Sequence, residues 1–174
     1  SFKTIQANFE FTLINKQEDI NETQNGEIII KGNNYFLAIA GQEVMSDGNA
    51  IYTVLKDAEE VQINNIPSEE DQEEDVISPN TIFTMYETGF KYKYLKEENE
   101  NHLINLYPKD ADEKDYHRIT LSIKIDKNQI SKIEIFGKDG STIIYTILNF
   151  TTNTSISDTK FKFDPQKNPS FEVV

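Results

Sequence analysis

Apolar and polar residues alternate with period two from one end of this chain to the other, and that pattern restricts the chain to β-structure. Ile5, Ala7, Phe9, Phe11 and Leu13 interleave with Gln6, Asn8, Glu10 and Thr12. Far downstream, Ile119, Leu121, Ile123 and Ile125 interleave with Thr120, Ser122 and Lys124. Successive side chains of a strand point to opposite faces, so each stretch has one apolar and one wet face. Many such strands make a wide sheet whose apolar face must be covered. The sequence offers one short helix for that task. Either the sheet folds onto itself, or something apolar is held against it.

At 174 residues the chain is expected to form a single domain, 1–174, with a substantial core. A formal net charge of −13 argues against nucleic acid and against anionic membrane surfaces, because both need clustered Lys and Arg. There is no Cys, which excludes a disulfide framework, a thiolate metal site and a cysteine nucleophile. No run of 18 apolar residues is present, so no helical membrane span is expected. Ser1-Phe2-Lys3 enters the first strand almost at once, as expected of a processed chain, and export stays open.

Strands are expected over Phe2 to Asn15, Gly26 to Lys31, Tyr35 to Ala40, Gln42 to Met45, Ala50 to Leu55 and Glu60 to Asn64. Further strands are expected over Phe90 to Lys96, His102 to Tyr107, Tyr116 to Asp126, Ile130 to Phe136, Thr142 to Phe150 and Lys160 to Phe163. Gln17 to Asn25 reads as a polar turn region. Gly32-Asn33-Asn34, Ser46-Asp47-Gly48-Asn49 and Lys138-Asp139-Gly140 read as tight turns. The run Ser68-Glu69-Glu70-Asp71-Gln72-Glu73-Glu74-Asp75 reads as a solvated loop; its spacing lacks the ligand order of a calcium loop. Ser78 as cap, Pro79 at the first position and Gly89 as stop frame a helix from Pro79 to Glu87, with Ile82, Phe83, Met85 and Tyr86 on its apolar stripe.

Little in the sequence points to catalysis. His102 and His117 fall on different strands. No nucleophile elbow, His-Glu-x-x-His pair, phosphate-binding Gly loop or dinucleotide fingerprint occurs. Asp110, Asp112, Glu113 and Asp115 crowd one loop but fail as an EF-hand, since Leu121 stands at the bidentate position. The chain is therefore read as a non-enzyme with no metal and no cofactor. What remains is apolar surface. Phe9, Phe11, Leu13, Ile28, Ile30, Leu37, Ile39, Ile119, Leu121, Ile123, Ile133 and Ile135 can share one sheet face, and the alternation leaves open whether that face is sandwich core or ligand cavity.

The order of these pieces resembles the LolA-type periplasmic lipoprotein carriers. The resemblance rests on Phe2-Lys3-Thr4-Ile5-Gln6-Ala7-Asn8-Phe9, Gly26-Glu27-Ile28-Ile29-Ile30-Lys31, Ser46-Asp47-Gly48-Asn49-Ala50-Ile51-Tyr52-Thr53 with Glu60-Val61-Gln62-Ile63 behind it, and Phe161-Lys162-Phe163-Asp164-Pro165 before a final Val strand. Ser78-Pro79 to Tyr86 sits where that family places its central helix. The resemblance implies a mainly β protein: a strongly curved, unclosed antiparallel β-barrel (half-barrel) with a helical lid over a concave apolar face. It implies an exported, periplasmic, monomeric carrier of lipoprotein acyl chains. The implied partners are the lipoproteins, an inner-membrane ABC-type transporter and an outer-membrane receptor. The acyl-chain cavity would be lined by the sheet residues named above together with Ile82, Phe83 and Tyr86 of the lid. A lipid- or lipoprotein-sensing or receptor domain of the same fold is the alternative. Two departures stand out. Leu37 occupies the place of an arginine that ties the lid shut in enterobacterial members, and Ser1 starts too late for the family's N-terminal lid helix.

Overall fold

The computed structural model describes residues 2–66 and 85–174. Among the described residues, twelve strands follow the order β12-β6-β5-β4-β3-β2-β1-β11-β10-β9-β8-β7 in one sheet. They are β1 Thr4–Asn15, β2 Ile20–Lys31, β3 Asn34–Ile39, β4 Gln42–Ser46, β5 Ala50–Leu55, β6 Glu60–Asn65, β7 Phe90–Glu98, β8 Asn101–Pro108, β9 Tyr116–Lys124, β10 Gln129–Gly137, β11 Thr142–Thr152 and β12 Glu172–Val173. Neighbouring strands with a resolved register are antiparallel, except that β12 runs parallel to β6. The chain is mainly β and its sheet is unclosed, with β12 and β7 at its ends among the described residues.

Among those residues there is no α-helix, only single 3-10 turns at Met85–Glu87, Ala111–Glu113 and Asp158–Phe161. The helix expected at Pro79 to Glu87 lies outside the described residues except for its last turn, and that turn is 3-10. The acidic run 68–75 also lies outside them.

The chain divides into two compact units, Ser1–Asn8 with Asn25–Asn80 and Asn149–Val174, and Phe9–Gln24 with Thr81–Leu148. In the first, pairing registers line up rows across β2 to β6. Ile29, Phe36, Met45 and Tyr52 form one row, and Ala38, Glu43, Val54 and Val61 another beside it. The chain's own tail covers this face, where Phe161 and Phe163 join Ile29, Phe36, Met45, Tyr52, Val54 and Val61 in one core, flanked by Ile156 and Phe171.

Here the structure corrects the expected strand at Lys160 to Phe163. Ser157 caps a 3-10 turn that swings Phe161 inward, fully buried. Side chains, not a strand ladder, dock this segment. Lys31 Nζ donates to the Ile156 carbonyl at 2.9 Å and meets Asp158 at 2.6 Å, and Lys160 Nζ sits 3.5 Å from the centre of the Phe36 ring. The tail then adds β12 to β6 through Glu172 N to Glu59 O at 2.8 Å and Val174 N to Val61 O at 2.9 Å.

A second correction concerns Gln17 to Asn25. The turn ends at Asp19, whose φ is +56°, and the strand resumes at Ile20. This polar half of β2 has almost no apolar residues, so its pattern is silent. Backbone pairing needs no apolar side chain, and Thr12 and Thr23 share a cross-strand hydroxyl hydrogen bond at 3.0 Å.

The Ser46-Asp47-Gly48-Asn49 turn forms as expected. Gly48 adopts φ +84°, where a side chain would be strained and its Cβ would come 3.1 Å from Asn34 Oδ1. Asp47 Oδ1 accepts from Asn49 N at 2.9 Å and Ala50 N at 3.0 Å, and Oδ2 accepts from the Tyr52 hydroxyl at 3.2 Å. Burial disfavours this carboxylate, but the Ala50 and Asn49 amides, then Tyr52 and Lys162, outweigh it and hold its pKa below the ordinary value. A depressed folded-state pKa contributes stability that is present above the unfolded pKa and is lost as pH falls through the folded one. Asp47→Asn is therefore expected to be less stable than the parent at pH 7, with the gap closing below about pH 4. Urea unfolding at a series of pH values measures it; a gap independent of pH would show that the charge of Asp47 does not matter.

Candidate functional site

The first unit has a second face, opposite the one its tail covers. Ile28, Leu37, Val44 and Thr53 form one row on it, and Ile30, Tyr35, Ser46 and Ile51 the next. Ile39 and Leu55 extend it on either side of Gln42. Ile28 and Ile30 are buried, whereas Leu37, Ile39, Val44, Ile51 and Leu55 are half-buried. Burial alone raises the pKa of Tyr35 and keeps its phenol neutral at physiological pH. Four sequence-predicted site residues, Ile28, Ile30, Leu37 and Ile39, thus share this face. Leu37 has Ile28 and Val44 as its cross-strand partners, so hydrocarbon continues on both sides of the position where an arginine was the alternative.

The second unit carries its own apolar face. Leu106, Ile119, Ile135 and Ile143 lie in register, as do Ile104, Leu121, Ile133 and Tyr145. Phe9 and Phe11 reach this face through Tyr145, at ring-centre distances of 5.9 and 5.4 Å, and Leu13 follows them by alternation along β1. Ile123 pairs with His102 and Ile130 at one end. Ile119 and Ile133 are wholly buried, Phe9, Leu121 and Ile135 nearly so, and Phe11, Leu13 and Ile123 half-buried. The predicted residues Phe9, Phe11, Leu13, Ile119, Leu121, Ile123, Ile133 and Ile135 therefore share one face here.

Tyr86, from the 3-10 turn, accepts a hydrogen bond at its carbonyl from the hydroxyl of Tyr92 on β7. Its own phenol pKa is raised, by burial first and then by Glu87. Ile82 and Phe83 lie outside the described residues.

Sequence reasoning missed Val44, Ile51, Leu55, Ile104, Leu106, Ile143 and Tyr145 as members of these faces. Alternation marked each of their strands, but only the register shows which rows align. The histidines are not brought together: His102 lies beside Tyr94 and has Nδ1 3.5 Å from Glu97, while His117 lies beside Phe136. No group of three His, Cys, Asp or Glu side chains is placed to hold a metal ion among the described residues. No helix among them is long and apolar enough to cross a membrane.

The described residues thus form a mainly β protein with apolar rows on the sheet faces of both units. The family model described as outer membrane lipoprotein carrier protein LolA matches residues 1–164, and the chain belongs to that family. A crystal structure of an uncharacterized conserved protein from Thermus thermophilus superposes with a TM-score of 0.63 at 9% identity, covering 99% of this chain and 90% of that one. That likeness supports a shared fold. A DUF1329 family protein from Desulfovibrio piger (TM-score 0.46, 12% identity, covering 93% of this chain and 90% of that chain) is more distant. So is a LolA superfamily protein from Nitrosomonas europaea (0.45, 11%, covering 92% of this chain and 90% of that chain). No curated protein sequence matches the chain.

Proposed function

We propose that this protein is a periplasmic carrier that shields the acyl chains of lipoproteins between an inner-membrane ABC-type transporter and an outer-membrane receptor. The reading is that of a single binding domain and not of an enzyme. One observation carries it. In the first unit the tail covers one face of the sheet, and the other face keeps Leu37, Ile39, Val44, Ile51 and Leu55 half-buried. Hydrocarbon in that state gains by receiving further hydrocarbon. Each methylene withdrawn from water is worth about 0.8 kcal/mol, so a chain of roughly fifteen brings on the order of 12 kcal/mol. Wholly buried Ile119 and Ile133 serve as the floor of the second unit, while half-buried Phe11, Leu13 and Ile123 are the residues that meet cargo there.

Native mass spectrometry of the protein isolated from its host tests the proposal. Adducts carrying lipidated polypeptide are expected; a protein that always emerges bare, or with a soluble metabolite, would overturn it. The helix expected over Pro79 to Glu87 acts in this reading as the lid. Ile82→Asp or Phe83→Asp is then expected to weaken binding of a fluorescent acyl probe about tenfold while moving the unfolding midpoint little. Equal losses in binding and stability would make that segment core instead of lid.

A further inference from the structure

The second unit has another face, and its chemistry is the reverse of the chain's. On β7 to β10 the registers place Lys91 opposite Tyr107, Lys93 opposite Asn105 and Thr120, and Lys96 opposite Leu103, Ser122 and Lys132. Arg118 pairs with Phe136, Thr120 with Glu134, and Lys124 with Asn101 and Gln129. Six cations, Lys91, Lys93, Lys96, Arg118, Lys124 and Lys132, thus share one face of four strands in a protein of net charge −13. The carboxylates among them are Glu98 and Glu134, and each is already held, by Lys96 at 2.6 Å and by Lys132 at 3.1 Å.

Lys91, Lys93, Lys124 and Arg118 have no carboxylate partner among the described residues. Arg118 is the chain's one arginine. Its guanidinium carbon lies 4.0 Å from the centre of the Phe136 ring, which fixes the plane of the fork, and its Nε is buried with no hydrogen-bond partner. Beside it the polar groups are already ordered: Thr120 Oγ1 donates to Asn105 Oδ1 at 2.8 Å, and Asn105 Nδ2 donates to the Tyr107 hydroxyl at 3.0 Å.

We propose that this basic face of β7 to β10 docks an acidic segment of a protein partner, with Arg118 taking a partner carboxylate in its fork and Lys91, Lys93 and Lys124 the flanking ones. Planar, two-pronged recognition of a carboxylate is what a stacked guanidinium offers and a lysine does not. A phospholipid surface is the poorer fit. Membrane association by basic residues is strengthened by apolar side chains that insert; the apolar residues in register on this face, Leu103 and Phe136, are not among the exposed large hydrophobics, which leaves Leu95, in the bulge beside Lys96, as a single exposed leucine. The proposal concerns the face opposite the acyl-binding rows and stands whether or not lipid is the cargo.

The test uses the whole chain, a fluorescein-labelled polyglutamate of about twenty residues, and vesicles of phosphatidylcholine with one third phosphatidylglycerol. Polyglutamate is expected to bind with an affinity that falls as salt rises. Lys91→Glu combined with Lys93→Glu should weaken it about tenfold, and Arg118→Lys, which keeps the charge, at least threefold. Both lysines are exposed, so unchanged thermal melts are expected to accompany the loss. Absence of polyglutamate binding at low salt, binding indifferent to all three substitutions, or retention on the vesicles that exceeds binding of polyglutamate would each overturn the proposal. Acyl-probe binding should be unaltered in the lysine double variant, which separates this face from the carrier reading.

Discussion

Phe161→Ala is expected to cost about 3–5 kcal/mol of folding stability, as for other wholly buried phenylalanines. The ring has no solvent exposure and stands at the centre of the cluster formed by Ile29, Phe36, Met45, Tyr52, Val54, Val61 and Phe163. Truncation opens a cavity between tail and sheet, and it also releases the tail. With the ring gone, Phe163, the Lys31 contacts to the Ile156 carbonyl and Asp158, and Lys160 over the Phe36 ring are left to hold the segment, and the salt bridge among them has an exposed carboxylate. The two-residue parallel pairing of β12 with β6 adds little to it. Urea unfolding measures the effect, and hydrogen exchange at the Glu172 and Val174 amides reports whether the tail detaches. Phe161→Leu should recover most of the loss. A cost below about 1 kcal/mol for Phe161→Ala would mean that the tail rests on the sheet without supporting it.

The second large effect is expected from Leu37→Arg, read as affinity for a fluorescent fatty-acid probe. Leu37 is half-buried between Ile28 and Val44 on the face the tail leaves alone. A guanidinium there must be desolvated each time an acyl chain lies across it, unless carbonyl groups accept its hydrogen bonds. Losing the hydrocarbon contact of one leucine is worth about 1.5–3 kcal/mol, which is roughly a ten- to hundredfold weaker probe. Leu37→Gln separates polarity from charge and should fall between the two. In the proposed carrier reading, closure with leucine at this place would rest on contact area alone, so the protein is expected to hold cargo more tightly than one latched by arginine. If Leu37→Arg leaves the affinity unchanged or raises it, Leu37 does not determine retention.

Much of the fold was legible because alternation is a local signal. Ala50–Leu55 emerged with its expected limits, and most other strands emerged within a residue or two of theirs. Period two puts Ile28 with Ile30 and Leu37 with Ile39 on one side of their own strands, and the register that pairs Ile28 with Leu37 joins the two pairs on one face. Family membership was legible from short motifs in fixed order along the chain, and the family model matches residues 1–164.

Three features were not legible. The polar half of β2 carries no apolar pattern, so only the neighbouring strand could say that Ile20 to Asn25 is extended. The tail reads as a strand because Phe161-Lys162-Phe163 alternates, yet both rings enter a core built from β2 to β6, and no local property announces that partner. The basic face is dispersed over four strands as single lysines and one arginine. Composition averages them away beneath a net charge of −13.

The sequence by itself thus determined which residues are extended and which side chains face the same way along each strand, because the pleat converts residue parity directly into direction. Tertiary structure alone decided which rows meet. Register between strands is a non-local quantity, set by turns and pairing partners far apart in the chain, and it gathers Lys91, Arg118 and Lys132 on one face and seats Phe161 on another.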